Sequence, residues 1–355
     1  MSILATKINH LGDMVSFLPT LDGILRNADG RRVVLLCTPL GREVASAALP
    51  GLTYITVDYA RARHLRSTVS VLPRIAREIS SHGCSISLHS YDEPSIAYLS
   101  AAAARVPLRI GFASGIARLQ NWLNEQLPFS TQRNVVDLNY DLVRRMAGCS
   151  ELSPARVPLR PDPATREAAL RSLDAAGVEP GQPFVALHGG AKASYREWGV
   201  ERFLTLARSI EERMKLPAVM LDDRTSRFAS ARRLVATPTI SELAVVLEHA
   251  RVFVGNNSGP MHIAACMGTQ CVVIQGPTPP CWELDWPDVP VQTLRSCLTC
   301  VPCERLGHVP GHCTNREDPL GCMKAISVAD VRRAVEKALS SEPSSHCSDP
   351  SPCWC

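Results

Sequence analysis

This sequence of 355 residues contains little lysine and few aromatic residues, and its positive and negative charges nearly balance. Only five of its 38 basic residues are lysine, aromatic residues make up 5%, and the formal net charge is +4. Binding to nucleic acid through bulk charge needs a marked basic excess. We therefore expect no nucleic-acid partner.

Long apolar runs are missing as well. No run reaches the roughly 18 apolar residues that a membrane-spanning helix needs. The first nine residues contain Lys7 and no small-residue cleavage site, which argues against a secretory signal. We expect a cytoplasmic protein with at most peripheral membrane contact. Hydrophobic residues at 45% and charged residues at 20% exclude a disordered or fibrous chain.

Cysteine, by contrast, is abundant and unevenly placed. Of the 14 cysteines, five crowd into residues 297–322 and three more end the chain. In a reducing compartment such a cluster favours metal binding over disulfides. A Cys-x2-Cys pair followed by two further thiols can complete a tetrahedron, which predicts a structural zinc or iron ion on Cys300, Cys303, Cys313 and Cys322. Cys297, His308 or His312 are alternative ligands, and reduced thiols in a loop are the alternative to a metal.

Apolar runs with β-forming residues alternate with helical periodicity along nearly the whole chain. The first half predicts strands at Ser2–Asn9, Arg32–Thr38, Thr53–Asp58, Ser85–Ser90 and Leu108–Phe112. Helices are predicted between them near Met14–Asn27, Glu43–Leu49, Thr68–Ser81 and Pro94–Ala104. Near-continuous apolar strands alternating with helices indicate a parallel sheet covered on both faces, and therefore the α/β class.

The same pattern starts again after a proline-rich segment, Ser150–Pro163. Strands are predicted at Phe184–His188, Ala218–Asp222, Val252–Asn256 and Cys271–Gln275, and helices at Ala164–Ala176, Val200–Met214, Ser241–Ala250 and Pro260–Met267. We predict one domain over residues 1–160 and a second over 161–326. Ser327 and Asp330 predict the start of a C-terminal helix over 327–340, and the polar residues 341–355 predict a disordered tail. Two open sheets predict a ligand cleft between their carboxyl ends.

Three loops at predicted strand ends carry candidate chemistry. The first, Asn9-His-Leu-Gly-Asp13, follows the first strand and opens a helix. Asp13 is either an ordinary helix cap or a general base that faces the cleft.

The second loop runs through His188, Gly189, Gly190 and Lys192, and then Tyr195-Arg196-Glu-Trp198 precedes a helix. A glycine pair lets a ligand approach the backbone, and two cations four residues apart can hold a diphosphate. The alternative is a strand–helix loop with solvated charges.

The third loop, Gly255-Asn-Asn-Ser-Gly-Pro-Met-His262, joins a strand to a helix. The early N–H groups of that helix are unpaired, which suits an anion such as a nucleotide phosphate. Ser258 is the expected cap, and Pro260 has the favoured first helical position. His262 is either a packed side chain or a ligand contact.

The segment Val254-Gly-Asn-Asn-Ser-Gly-Pro-Met-His-Ile-Ala-Ala265, followed by Gly276-Pro-Thr278, resembles the signature of glycosyltransferase family nine, the ADP-heptose heptosyltransferases. The other two loops match the family's motifs in order and spacing, and the resemblance covers Ile3 to Leu339. It implies a GT-B fold, in which two Rossmann-like doubly wound domains face each other across a cleft. The acceptor would bind the N-terminal domain and the nucleotide sugar the C-terminal one. Family members invert the anomeric centre and need no catalytic metal.

The resemblance also implies residue roles. Asp13 matches the base, and the implied donor-binding residues are His188, Gly189, Gly190, Lys192, Arg196, Asn257, Ser258, Gly259, Pro260 and His262. Two positions depart from the family pattern. The family usually has Lys where this chain has Arg196, and commonly has Asp where this chain has Asn257. Because that Asp is thought to contact the donor sugar, the departure leaves the donor less determined. Some protein-modifying heptosyltransferases bind iron with four cysteines, which adds to the metal prediction.

The expected reaction is transfer of a heptose from ADP-heptose to an acceptor hydroxyl with inversion. Arg61, Arg63 and Arg66 follow the third strand and suit an acidic or phosphorylated acceptor, such as lipopolysaccharide core or a related glycan. A solvated helix start is the alternative for these arginines, and a protein or small-molecule acceptor stays open. Alternatives to the transferase are a GT-B epimerase, a transferase-like protein without activity, and a metal-dependent binding module built on the cysteines.

Overall fold

Two α/β units follow each other in the computed structural model, which describes residues 1–63, 65–113, 120–222, 227–237, 239–283, 286–305 and 309–340. The first unit contains β1 (Ser2–Lys7), α1 (Leu11–Arg26), β2 (Arg32–Cys37), α2 (Pro39–Ala48), β3 (Thr53–Thr56), α3 (Tyr59–Arg63), α4 (Leu65–Ser81), β4 (Cys84–His89), α5 (Ser95–Ala103), β5 (Leu108–Phe112), β6 (Glu125–Leu127) and α6 (Val135–Ala147). The predicted tail, 341–355, lies outside the described residues.

The second unit contains α7 (Pro163–Ala175), β7 (Val185–His188), α8 (Val200–Met214), β8 (Ala218–Asp222), β9 (Leu234–Ala236), α9 (Ile240–His249), β10 (Val252–Asn256), α10 (Gly259–Met267), β11 (Cys271–Gln275), β12 (Val291–Arg295), α11 (Gly321–Lys324) and α12 (Val328–Ser340). Short 3₁₀ helices cover Gln120–Trp122, Ser194–Arg196 and Pro280–Trp282. No helix in the described ranges combines the length and the apolar character that crossing a membrane requires.

Each unit is built on a six-stranded parallel sheet. The strand orders are β3-β2-β1-β4-β5-β6 and, read from its far edge, β9-β8-β7-β10-β11-β12. Both are the doubly wound order in which the chain reverses direction next to its first strand. Ligands bind at that switch point, outside the carboxyl ends of the central strands, because the neighbouring connections diverge there. The α/β prediction with two doubly wound sheets is confirmed.

Every strand predicted from the sequence forms, with ends within two residues of the prediction. Burial explains this success, since β1, β8, β10 and β11 are buried at every position. The C-terminal helix also begins as predicted, because the Ser327 hydroxyl accepts from Asp330 N–H at 3.1 Å and Asp330 accepts in return from Ser327 N–H at 3.0 Å.

The proline-rich segment between the two units lies against both of them. It has neither helix nor strand before α7. Arg160 N–H donates to the Ala47 carbonyl at 2.6 Å, and Arg156 forms an ion pair with Asp288 at 2.6 Å. Leu159 is buried in the core. The predicted linker is therefore a packed strap.

A buried charged cluster lies beneath the switch point of the first sheet. The Lys7 ammonium is fully buried and donates to Asp92 at 2.8 Å and to the Ser90 hydroxyl at 2.9 Å. Glu93, also buried, accepts from Ile8 N–H at 3.0 Å. Burial by itself would lower the pKa of Lys7, but the neighbouring carboxylates outweigh it and raise that pKa. Burial raises the pKa of Glu93 to about 7, against the opposing charge of Lys7.

Replacing Glu93 with Gln should make stability less dependent on pH. The folded protein holds the Glu93 proton up to about pH 7, whereas an unfolded glutamate releases it near pH ~4.3. Between these two pH values the folded state binds more protons than the unfolded state. The contribution of Glu93 to the free energy of unfolding therefore falls as pH rises through this range to about 7. Thermal unfolding at about pH 5.5 and about pH 8 should show a smaller drop in Tm for Glu93→Gln than for the wild type.

Glu212→Gln is the matched control, since Glu212 is an exposed glutamate on α8. It should keep the wild-type drop in Tm. The same drop in both variants contradicts a proton bound to Glu93.

Candidate active site

A cleft of about 980 Å³ opens between the carboxyl ends of the two sheets. Its walls carry Asp13 and nine of the ten predicted donor residues: His188, Gly190, Lys192, Arg196, Asn257, Ser258, Gly259, Pro260 and His262. The sequence separates these residues by up to about 250 positions, and the two switch points bring them together.

Asp13 lies in the first turn of α1, half-buried at the edge of the cleft. One carboxylate oxygen accepts from His10 N–H at 3.2 Å, so the side chain caps the helix. The positive end of the helix dipole stabilises a carboxylate there. The Asp13 side chain thus both caps α1 and lines the cleft.

The glycine pair after β7 has two different surroundings. A Cβ on Gly189 would lie 2.4 Å from Phe228 Cζ and 2.9 Å from Phe203 Cδ2, so this position faces the core of the second unit. Gly190 lines the cleft. The geometry therefore supports the approach of a ligand at Gly190 only. At Gly189 the missing side chain makes room for Phe203 and Phe228.

A buried amide ties this loop to the other donor loops. Asn256 is fully buried, donates to the Gly189 carbonyl at 2.8 Å and accepts from Trp198 N–H at 3.1 Å. The Trp198 indole in turn donates to the Ile326 carbonyl at 2.7 Å. These bonds fix the loops after β7 and β10 relative to each other.

Three residues at the start of α10 that line the cleft each bury a polar atom. Within the part of the chain that the structure describes, Asn257 Nδ2, Ser258 Oγ and His262 Nδ1 are buried without a hydrogen-bond partner. A buried polar atom without a partner costs about 1–3 kcal/mol, which a ligand can recover. Burial, with the charge of Arg196, lowers the pKa of His262 to about 4, so its ring is neutral at pH 7.

The beginnings of α1 and α10 meet across the cleft. A Cβ on Gly12 would lie 2.5 Å from His262 Cδ2, and one on Gly259 would lie 2.5 Å from Leu11 Cδ2. Each helix thus uses a glycine to admit a side chain of the other. Two positive helix ends close together form a site for an anion.

A second contact between the units involves the predicted cation Lys192. Its ammonium contacts His10 Nε2 and lies 5.0 Å from the centre of the Tyr59 ring. The His10 and Tyr59 rings are 4.1 Å apart. Lys192 therefore joins the donor loop to the first unit at the mouth of the cleft.

Arg196 has a partner that the sequence did not indicate. Its Nε and Nη2 donate to the two carboxylate oxygens of Glu304 at 2.7 and 2.6 Å. Tyr195 also donates to Glu304, at 2.6 Å. The Glu304 side chain is fully buried, while that of Arg196 is 20% exposed and lines the cleft.

Of the three predicted acceptor arginines, only the side chain of Arg61 is described, and it is not part of the described cleft wall. Arg61 is exposed on α3, and its backbone N–H donates to Asp58 at 3.2 Å. The side chains of Arg63 and Arg66 lie outside the described residues. Tyr59, at the start of α3, does line the cleft.

Asp222 and Asp92 are cleft residues that the sequence analysis missed. Asp222 ends β8, the second strand of its doubly wound sheet, where an acidic residue commonly binds ribose hydroxyls. Its position at a predicted strand end was the signal available in the sequence. Asp92 follows β4 at the other switch point and is held by Lys7.

The four cysteines of the predicted metal site lie near one another. Burial, with the nearby thiols of Cys313, Cys300 and Cys303, raises the pKa of Cys322 to about 11. Among the described residues, no three His, Cys, Asp or Glu side chains are arranged to hold an ion. Of the alternative ligands, Cys297 and His312 are exposed and His308 lies outside the described residues. The metal site stays a prediction.

Replacing Gly12 with Ala should separate the two helix starts. The new Cβ would lie 2.5 Å from His262 Cδ2, which requires that the ring or a helix shift. Alanine favours a helix over glycine by about 1 kcal/mol, so a lower Tm is not expected from α1 itself. We expect ADP affinity to fall by about tenfold, since small displacements in such sites are costly. Calorimetric titration with ADP measures it, and an unchanged affinity contradicts the close contact.

Comparison with known proteins points in one direction. A sequence profile of glycosyltransferase family 9 (heptosyltransferase) matches residues 74–303, which is well over half of the chain. Lipopolysaccharide heptosyltransferase 3 of Escherichia coli is 26% identical over 191 residues, covering 50% of this chain and 53% of that protein. The match thus spans about half the length of this curated relative.

Solved structures with similar folds include a family 9 glycosyltransferase from Veillonella parvula, with a TM-score of 0.76, 18% identity, and 95% and 97% of the two chains covered. The E. coli heptosyltransferase WaaC with ADP-2-deoxy-2-fluoro heptose has a TM-score of 0.66 at 15% identity, covering 95% and 99%. The iron-containing dodecameric glycosyltransferase TibC of enterotoxigenic E. coli has a TM-score of 0.57 at 13% identity, covering 95% and 75%. At these identities the likeness shows the fold, and the GT-B prediction is confirmed. By the profile match, this chain belongs to glycosyltransferase family 9, the heptosyltransferase family.

Proposed function

We propose that the chain transfers a heptose from ADP-heptose to an acceptor hydroxyl, with inversion at the anomeric carbon. The observation that carries the proposal is the arrangement of the cleft. A carboxylate at one switch point, Asp13, faces a helix start at the other, where Asn257, Ser258 and His262 have buried polar atoms without partners. This arrangement suits a base on one side and an anionic leaving group on the other.

The diphosphate of the donor would bind between the start of α10 and the two cations of the β7 loop. The positive end of α10 and Ser258 would bind its oxygens, and Lys192 and Arg196 would balance its charge. Asp222, buried at the end of β8, would accept from the ribose hydroxyls. The neutral ring of His262 can bind donor oxygen atoms without adding a charge.

Asp13 would act as the general base. It would take the proton of the acceptor hydroxyl while that oxygen attacks the anomeric carbon from the face opposite the diphosphate. The transition state has oxocarbenium character, and negative charge grows on the leaving diphosphate. The cations and helix N–H groups would stabilise that charge.

The acceptor would be anionic, and lipopolysaccharide core or a related glycan is our first choice, in keeping with the curated relative named lipopolysaccharide heptosyltransferase 3. Arg61 is exposed on α3, and the same stretch of sequence contains Arg63 and Arg66. Charge-assisted bonds to phosphate or carboxylate would hold such an acceptor beside Tyr59. A protein acceptor and a small-molecule acceptor are the alternative outcomes of an acceptor screen.

We further propose a structural zinc or iron ion on Cys300, Cys303, Cys313 and Cys322. Four thiolates form a closed set that leaves no position open for chemistry. The neighbourhood of the thiols supports it, since Leu320 N–H donates to Cys313 Sγ at 3.3 Å and Asn315 Nδ2 lies 3.8 Å from Cys300 Sγ. Such donors stabilise thiolate ligands. The ion would order a segment that has little regular secondary structure.

Asp13→Asn tests the transferase proposal. The variant should still bind ADP-heptose, seen as a thermal shift larger than those from GDP- and UDP-sugars. Its turnover should fall by about 10²-fold or more, because a positioned base contributes about that much. Release of ADP in the presence of an acceptor measures turnover.

Asp22→Asn is the matched control. Asp22 lies on the same helix, is paired with Arg26 and is absent from the described cleft walls. This variant should keep wild-type turnover. Near-normal turnover in Asp13→Asn would assign the base to another carboxylate, and a wild type that ADP-heptose does not stabilise contradicts the donor.

Elemental analysis tests the metal proposal. Protein purified without a metal-binding tag should contain close to one zinc or iron per chain. Cys300→Ser with Cys303→Ser should remove the ion and lower Tm, whereas Cys149→Ser, at an exposed cysteine outside the cluster, should change neither. Less than about a tenth of an ion per chain in cooperatively folded wild type refutes the site.

A further inference from the structure

We propose that Glu304 is the positioning residue for Arg196, holding this cation where it meets the leaving diphosphate. The inference rests on the proposed function, because it assigns the group that orients a donor-binding side chain. Neither the family resemblance nor the spacing of the loops pointed to Glu304.

The first support is the geometry of the ion pair. Glu304 binds Arg196 side-on, through Nε and Nη2, at 2.7 and 2.6 Å. This leaves Nη1 and the outer N–H of Nη2 for a ligand. Since Arg196 lines the cleft with 20% of its side chain exposed, a planar guanidinium held along one edge presents its other edge in a fixed direction.

The second support is that Glu304 is itself fixed from three directions. Its carboxylate accepts from the Tyr195 hydroxyl at 2.6 Å as well as from Arg196. Its backbone N–H donates to the Pro277 carbonyl at 3.1 Å, in the Gly276-Pro-Thr278 motif after β11. One residue thus joins the second and third sequence motifs. Its full burial means that water does not compete for these bonds.

The third support is the chemistry of the substitution at position 196. The family usually has lysine there, and an ammonium is a point charge without a planar edge. A bidentate pair requires arginine on one side and a carboxylate on the other. Arg196 and the fully buried Glu304 therefore form one unit, in which the carboxylate restricts the guanidinium to one orientation.

Glu304 also gives the cysteine-rich segment a connection to the donor site. It directly follows Cys303, and the described residues between β12 and α11 contain no helix and no strand longer than one residue. Without regular secondary structure, the position of Glu304 depends on the contacts that the cysteine-rich segment makes. A change in the conformation of this segment would therefore move the Glu304 carboxylate and, with it, Arg196 in the diphosphate subsite.

The test compares Glu304→Gln and Glu304→Asp with the wild type, using full-length protein. Titration calorimetry with ADP and with adenosine separates the diphosphate subsite from the nucleoside subsite. Glu304→Gln should weaken ADP binding by about tenfold, the size of a lost charge-assisted contact, and leave adenosine binding unchanged within about twofold. In ADP release from ADP-heptose, kcat should fall together with a rise in KM, because the cation stabilises charge that grows in the transition state.

Glu304→Asp separates positioning from charge balance. It keeps a buried carboxylate, so it also serves if Glu304→Gln fails to fold, but it withdraws the carboxylate by one methylene. Positioning predicts that ADP binding stays weakened in Glu304→Asp. Recovery of wild-type ADP affinity would mean that only the charge matters, and would overturn the proposal.

Glu211→Gln is the matched control, since Glu211 forms a half-buried ion pair with Arg233 in the same unit, away from the described cleft walls. It should leave both affinities at wild-type values. Equal losses for ADP and adenosine in Glu304→Gln also overturn the proposal, because they indicate a structural role. A wild type that binds ADP no better than adenosine refutes the proposed function instead, so the two failures are distinguishable.

Discussion

The close approach of the helix starts of α1 and α10 is the contact on which the cleft depends. Gly12 makes room for the ring of His262, and Gly259 makes room for Leu11, so the two units touch where both helix dipoles are positive. Two such ends repel each other unless negative charge lies between or beside them. The Asp13 carboxylate supplies part of that charge on one helix. A bound diphosphate would supply the rest, so the close approach of the two helix starts favours anion binding.

Buried polar groups near the cleft fall into two classes, those with hydrogen-bond partners and those without. Asn256 and Glu304 are fully buried, and their side-chain bonds, with the backbone bond from Glu304 to Pro277, hold the loops after β7, β10 and β11 together. Asn257, Ser258 and His262 each bury a polar atom that has no partner among the described residues. The first class forms the scaffold, and because an unsatisfied buried group is costly, the second class holds the groups that the donor would satisfy under the proposed function. On the other unit, Lys7 performs the scaffold role by holding Asp92 and Ser90.

Much of the fold could be predicted because parallel strands buried on both faces leave an apolar signal that needs no knowledge of contacts. The strands that were missed have a different environment. β6 and β9 are edge strands of three residues, and β12, the other edge strand of the second sheet, is half-buried along its length. α6 was missed too, since no element was predicted between β5 and the proline-rich segment. It packs on α1. Asp137 and Asp141 form ion pairs with Arg144 on the same helix and with Arg133, which precedes it.

By itself the sequence determined the alternation of strands and helices, the three loops at strand ends and the candidate base, since these depend on local spacing and residue type. The tertiary structure decided how each residue is used. It turned Gly189 toward Phe228 and left Gly190 on the cleft, and it paired Arg196 with a glutamate 108 residues away. Side-chain direction and pairing between distant segments depend on how sheets and helices pack, and no short window of sequence contains that information.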